Sequence, residues 1–179
     1  MIIVVMGVCG CGKTTIGQKL AERLDAAFVE GDELHPASNK DKMAAGIPLD
    51  DEDREPWLDA IAAKAAELLS RGPCVVVSCS ALKRSYRDRL RTAGQDLKLV
   101  HLTGSKSLLQ ARMNERRGHF MPPGLLDSQL ATLQVPEADE TTIRLDIAEP
   151  PDAIVERAFA FLNLPLSSSQ TDKQKETQS

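Results

Sequence analysis

Aromatic residues are scarce: one Trp, one Tyr and four Phe in 179 positions. Stacking on bases has little to work with, which disfavours single-stranded nucleic acid or a nucleobase as ligand and favours a polyol or a sugar acid. Long apolar runs are missing too. Ile2 to Met6 and Cys74 to Val77 fall far short of the ~20 residues that span a bilayer, and no basic stretch precedes the first run, so neither a membrane span nor a secretion signal is expected. Nor is positive charge in excess. The 22 Lys and Arg residues face 26 Asp and Glu, a formal charge of -4 that excludes a general attraction to nucleic acid or anionic lipid. Cysteines are few, at Cys9, Cys11, Cys74 and Cys79, in a chain that is 42% apolar and can build a core without staples. Reduced thiols and a cytoplasmic setting follow.

Length and mixture fit one domain, expected over residues 1–165. Strands are expected at Ile2 to Met6, Ala27 to Val29, Cys74 to Ser78, Leu97 to Leu102 and Ile143 to Ile147, all β-branched or apolar runs of the kind that parallel sheets bury. Between them, Ile16, Leu20 and Leu24, then Leu58, Ile61, Ala62, Ala65, Leu68 and Leu69, and finally Ala153 to Leu162 repeat with helical spacing. The alternation implies right-handed crossovers and an α/β three-layer sandwich around a five-stranded, mainly parallel sheet, with ligands beyond the carboxyl ends of the strands. Two stretches break the pattern, Gly31 to Asp53 and Arg112 to Pro123, and long irregular segments in a compact domain are characteristically binding loops or lids. Residues 166–179 are polar and read as a disordered tail.

Gly7-Val8-Cys9-Gly10-Cys11-Gly12-Lys13-Thr14 matches GxxxxGK[ST] between a β-branched run and an amphipathic helix, the context this phosphate loop requires. Its glycines let backbone amides face inward, and the helix after it adds the positive end of its dipole. Lys13 is expected to reach the β- and γ-phosphates and the Thr14 hydroxyl to ligate Mg²⁺. The expected ATP contacts are Gly7, Val8, Cys9, Gly10, Cys11, Gly12, Lys13, Thr14 and Thr15, together with Arg112 and Arg116 further along the chain. Cys9 and Cys11 form a C-x-C, but a loop whose amides face phosphate cannot readily gather two further metal ligands.

Motor and switch ATPases place an Asp after a central strand, whereas the best central strand here ends Val77-Ser78-Cys79-Ser80. The second strand leads instead to Glu30-Gly31-Asp32, where Asp32 can accept a hydroxyl proton or help orient Mg²⁺, or stand as a solvated loop residue. Arg112 and Arg116 lie four apart on one helix face, suited to charge on a transferring phosphoryl group or to a solvated surface. With Gly118-His119-Phe120 and Pro122-Pro123 after them, they read as a lid over about 112–136 that excludes water. Arg54 and Lys83 are candidates for an acceptor carboxylate or, equally, for structural ion pairs. A kinase for a different small acceptor and a nucleotide-dependent switch are the competing classes.

Beyond these motifs, the chain resembles the phosphate-loop gluconokinases, relatives of shikimate and adenylate kinases, over about Ile2 to Phe161. The likeness rests on Gly7 to Thr14; on Gly31-Asp32, Leu34-His35-Pro36, Asn39, Lys42-Met43, Gly46, Pro48-Leu49, Asp51, Asp53-Arg54 and Pro56-Trp57-Leu58; on Cys79 to Lys83 with Tyr86-Arg87; and on Gly118-His119-Phe120. It implies an α/β kinase, usually a homodimer, that uses ATP and Mg²⁺ to phosphorylate D-gluconate at the 6-hydroxyl. Lys13, Asp32, Arg112 and Arg116 would act in catalysis, and Asp32, His35, Arg54, Lys83 and His119 would hold gluconate. The sequence departs from that pattern at Cys11, where relatives commonly have Ser, at Glu30, where Asp is frequent, and at Gln134, where an acidic residue is common.

Overall fold

Five strands, β1 (Ile2–Met6), β2 (Ala27–Glu30), β3 (Val75–Ser78), β4 (Leu97–Thr103) and β5 (Thr142–Asp146), form one sheet in the order β2-β3-β1-β4-β5. Every pairing is parallel. The helices are α1 (Lys13–Leu24), α2 (Ala37–Ala44), α3 (Asp51–Leu69), α4 (Arg84–Arg91), α5 (Lys106–Glu115), α6 (Leu125–Thr132) and α7 (Pro151–Asn163). The structure is a computed structural model that describes residues 1–115 and 124–163. The tail expected over 166–179 and the residues Arg116, Arg117, Gly118, His119 and Phe120 lie outside the described residues.

Alternation along β1 builds both layers. Ile3 and Val5 face one way, into a cluster with Ile16 and Leu20 of α1 and Ile154 and Ala158 of α7. Ile2, Val4 and Met6 face the other, onto Trp57, Leu58, Ile61 and Ala65 of α3 and Tyr86 and Leu90 of α4. A strand buried on both faces reads as an unbroken apolar run, which is why β1 was legible. Each large side chain so buried contributes about 1.5–3 kcal/mol.

The chain leaves β1 toward β2 and β3 on one side, then crosses to β4 and β5 on the other. β1 is thus the strand at which the order reverses, and the crevice beyond its carboxyl end is where such sheets bind ligands. The register Ile2↔Val75 and Ile2↔Leu97 keeps the ends of β1, β3 and β4 level, so the loops after them meet at one edge.

The structure corrects the reading of Gly31 to Asp53 as irregular. It contains a 3₁₀ turn at Gly31–Leu34, all of α2 and the start of α3. The turn residues Gly46 and Pro48 fall in the short α2–α3 connection, and Asp50 and Asp53 form a reciprocal capping box that starts α3. In the second stretch, α5 carries helix through Arg112 to Glu115, in keeping with the helix face on which Arg112 was expected.

A buried ion pair pins the loop after β3. Arg87 is 1% exposed and meets Glu140 through two bonds, Nε to Oε1 at 2.7 Å and Nη2 to Oε2 at 2.8 Å. Burial is the largest single influence and pushes the Glu140 carboxyl up, but the Arg87 hydrogen bonds, the Glu137 amide and the charges of Arg87 and Arg84 together outweigh it and hold the group below its ordinary value. Arg87 Nη1 also donates to the carbonyls of Ala81 at 3.1 Å and Gln134 at 2.9 Å. Ala81 needs that hold, because its φ of 46° is a left-handed conformation that a side chain disfavours by roughly 1–2 kcal/mol. Replacing Glu140 by Ala strands the guanidinium without its partner. The expected loss is about 3–5 kcal/mol of unfolding free energy, read by urea denaturation, and a loss under 1 kcal/mol would show that water relieves the charge.

Candidate active site

The phosphate loop occupies the turn from β1 to α1. Gly12 caps α1 with φ 87° and ψ 26°, and no acidic residue stands in the first turn, so the helix presents its positive end undiluted. The amides of Gly10, Gly12, Lys13, Thr14 and Thr15 carry no hydrogen bond to another described residue. Five donors at a helix start form a ready anion cradle. The loop is held by its other groups: Gly7 N–H donates to Ser80 O at 3.3 Å, and Val8 O accepts from Cys11 N–H at 3.4 Å and from the Lys13 ammonium at 3.2 Å.

Helices α5 and α6 wall this loop. A Cβ at Gly10 would meet Leu109 O and Met113 Cγ, both at 2.9 Å, so only glycine admits so close an approach by α5. The Cys9 thiol lies 3.3 Å from Met113 Sδ. Arg112 reaches the loop as well: its Nη1 is 3.9 Å from a Cβ position at Gly12, and its Nη2 donates to Ile147 O at 2.7 Å. From α6, Gln129 Oε1 accepts the Cys9 amide at 2.7 Å.

The acceptor side forms at the end of β2. Gly31 backs onto Ser78 O so closely that a Cβ there would collide, and Asp32 follows with an exposed side chain. Glu30 accepts a short hydrogen bond from the Ser78 hydroxyl and a weaker one from Asp32 N–H at 3.4 Å, so the longer acid at this position still closes the gap between β2 and β3. His35 stacks on Trp57, with ring centroids 4.2 Å apart and planes at 11°, while the Trp57 indole donates to Gly31 O at 2.7 Å. Asn39 Nδ2 gives one proton to Asp53 O at 2.7 Å and lies 3.4 Å from His35 Nδ1. Because the carbonyl fixes that nitrogen as a donor, Nδ1 accepts and Nε2 carries the ring proton. Burial lowers the His35 pKa; the Asp32 charge opposes the shift, and the charges of Arg54 and Lys40 reinforce it.

The two basic candidates separate. Lys83 binds both oxygens of Asp51, at 2.8 and 2.6 Å, and Tyr86 donates to the same carboxylate. These bonds hold the Asp51 carboxyl below its ordinary value. Arg54 has no ion pair among the described residues; its Nη2 donates to Leu49 O at 3.3 Å and its guanidinium lies 5.8 Å from the Tyr86 ring centre. Burial pushes the Cys79 thiol up to about 12, and the charges of Asp32, Lys13 and Arg54 all act on it.

Sequence reasoning counted Asn39 only among the hydrogen-bonding groups of the Gly31 to Asp53 segment, left Trp57 without a role and did not single out Gln129. Asn39 and Trp57 stood in the block that carried the resemblance, but a Gln in a polar helix carries no signal of its own. Gln134 now has a place: its Oε1 accepts from Arg84 N–H at 2.7 Å, capping α4, and its own N–H donates to Leu82 O at 2.8 Å. An acid at that position could accept the same bond.

Comparisons with known proteins place the chain among kinases of this fold. A family model described as an AAA domain matches residues 2–136. The gluconokinase of Gluconobacter oxydans is 49% identical over 154 residues, covering 86% of each chain. A crystal structure of a gluconokinase from Sinorhizobium meliloti superposes with a TM-score of 0.80 at 52% identity, covering 89% of this chain and 90% of that one. An unliganded sugar kinase from Janibacter gives 0.84 at 45% identity, covering 90% and 93%.

The His35 tautomer is directly testable. Nitrogen-15 NMR should find Nδ1 unprotonated at neutral pH and a titration midpoint below the ordinary 6.5. The unfolded chain takes up this proton near 6.5, so the stability it contributes is full above that pH and is lost as the pH falls toward the folded midpoint. A midpoint above 6.5, or a protonated Nδ1, would contradict the assignment.

Proposed function

Because the chain belongs to the gluconokinase family, we propose that it transfers the γ-phosphoryl group of ATP to the 6-hydroxyl of D-gluconate, yielding 6-phosphogluconate. The observation that carries this reading is the cradle of five unpaired loop amides beyond the carboxyl end of β1, with an exposed carboxylate just past the carboxyl end of β2 in the same parallel sheet and an arginine without an acidic partner in the first turn of α3.

Transfer needs positioning and charge stabilisation more than covalent help. The amides of Gly10 and of Gly12 to Thr15 bind the phosphates. The Lys13 ammonium keeps one proton on Val8 O and has two more for the β- and γ-oxygens. Arg112, beside Gly12, meets charge developing on the transferring group, and Arg116 from the undescribed segment belongs to the same proposal. Asp32 takes the proton from the attacking hydroxyl. His35 donates through Nε2–H to a gluconate hydroxyl, its ring fixed by Trp57 and Asn39. Arg54 binds the carboxylate, while Lys83, committed to Asp51, shapes the pocket through that pair. His119 remains a proposed contact outside the described residues.

The residues fit Mg²⁺ held chiefly by substrate oxygens. No group of three or more His, Cys, Asp or Glu able to cage a metal occurs among the described residues, and the Thr14 hydroxyl stands half-buried in the first turn of α1. Thr14 would hold the ion together with phosphate oxygens, and the ion would neutralise charge between the β- and γ-phosphates. No helix among the described residues is long and apolar enough to cross a membrane. A cytoplasmic homodimer completes the proposal, supported by four free cysteines and by the family resemblance.

Two substitutions test the assignments. Asp32→Asn should lower kcat by about 10²–10⁴-fold with the gluconate KM within a few-fold; an unchanged kcat removes Asp32 as the base. Arg54→Leu should raise the gluconate KM by about 10- to 100-fold, the worth of a charge-assisted hydrogen bond. An unaltered KM would shift the carboxylate to another group.

A further inference from the structure

The Val8–Cys9 peptide is gripped at both ends. Its carbonyl accepts from the Lys13 ammonium at 3.2 Å, and its N–H donates to Gln129 Oε1 at 2.7 Å, across 120 residues of sequence. Among the loop amides that precede α1, this one is satisfied from α6, whereas those of Gly10 and Gly12 carry no bond to another described residue. Gln129 is itself half-buried on a short helix anchored by Leu126 in the core and by an ion pair from Asp127 to Lys106 of α5 at 2.5 Å.

A peptide plane turns as a unit, so an acceptor that fixes its N–H also fixes where its carbonyl points. That carbonyl sets the position of the lysine ammonium. Polarisation acts in the same sense, since a hydrogen bond to the N–H makes the carbonyl of that peptide a stronger acceptor. We propose that Gln129 is a positioning residue for Lys13, acting through the Val8–Cys9 peptide and tying the reach of the loop lysine to the placement of α6. This rests on the kinase reading above, in which Lys13 meets the β- and γ-phosphates. It assigns Gln129 no contact with either substrate. A displaced α6 frees the peptide, and the ammonium then loses its fixed seat before any phosphate is transferred.

The test uses the full chain with Gln129→Met, which keeps length and apolar contact and removes the acceptor, and Gln129→Glu, which keeps an acceptor oxygen. Hydrogen exchange by NMR is read at the Cys9 amide in the nucleotide-free protein, and kcat and KM are read with ATP and gluconate. In Gln129→Met, exchange at Cys9 should quicken at least about 10-fold while the amides of β1 keep their protection. Its kcat should fall about 10-fold, corresponding to the roughly 1.4 kcal/mol of one neutral hydrogen bond, with the gluconate KM within about two-fold. Gln129→Glu should restore the protection at Cys9. Unchanged exchange in Gln129→Met, faster exchange with an unaltered kcat, parallel loss of β1 protection, or failure of Gln129→Glu to restore Cys9 would each overturn the proposal. The exchange arm needs no acceptor. A wild-type protein that ignores gluconate therefore sinks the functional reading, and Gln129 is still decided by exchange and by ATP hydrolysis to water.

Discussion

A loop that must offer its amides to phosphate cannot use those amides to hold itself in place. That constraint organises the sheet edge. The loop is fixed through what remains: the Gly7 amide on Ser80, the Val8 carbonyl under Lys13 and Cys11, the Cys9 amide on Gln129, and close packing of α5 over Gly10. Each of these anchors comes from an element whose own position is separately secured. Ser80 belongs to the turn that Arg87 and Glu140 clamp, and α5 and α6 are rooted in the core by Leu109, Met113 and Leu126. The free donors are therefore organised in advance, and a phosphate finds them without a reorganisation cost.

The acceptor side follows a complementary rule: charges that are not needed are tied up. Lys83 and Tyr86 saturate Asp51, Lys42 takes Asp53 at 2.6 and 2.8 Å, and Arg89 takes Asp59 at 2.5 and 2.8 Å. Arg54 and Asp32 are left without such partners among the described residues, and their charges act in opposite senses on the titration of the His35 ring that stacks on Trp57. A neutral imidazole with a fixed Nε2–H adds a directional donor without adding charge, which suits a hydroxyl-rich substrate.

What the sequence revealed followed the range of the interactions. β1 and the phosphate loop were legible because their signals are local, an apolar run and then a motif read within eight residues. The parallel three-layer architecture needed only alternation and handedness; the strand order came from the structure, and the strand limits shifted by a residue, as at Val75 and Thr103. Helix α2 escaped notice because its sequence, ASNKDKMA, is mostly polar and buries only Asn39; tertiary bonds to Asp53 hold it where periodicity has nothing to report. Arg54 and Lys83 could not be told apart because the deciding partner, Asp51, pairs with Lys83 from 32 residues away. Gln129 was invisible for the same reason at four times the distance. The resemblance to gluconokinases supplied the block from His35 to Trp57, and the geometry gave those residues physical reasons to stand together.

The most direct measurement follows phosphorus from reactant to product. With equimolar ATP and D-gluconate, phosphorus NMR should show loss of the γ-phosphate resonance matched by ADP and a single phosphomonoester coupled to the carbon-6 protons. Release of inorganic phosphate in place of that ester, or an ester on any other oxygen, would contradict the account.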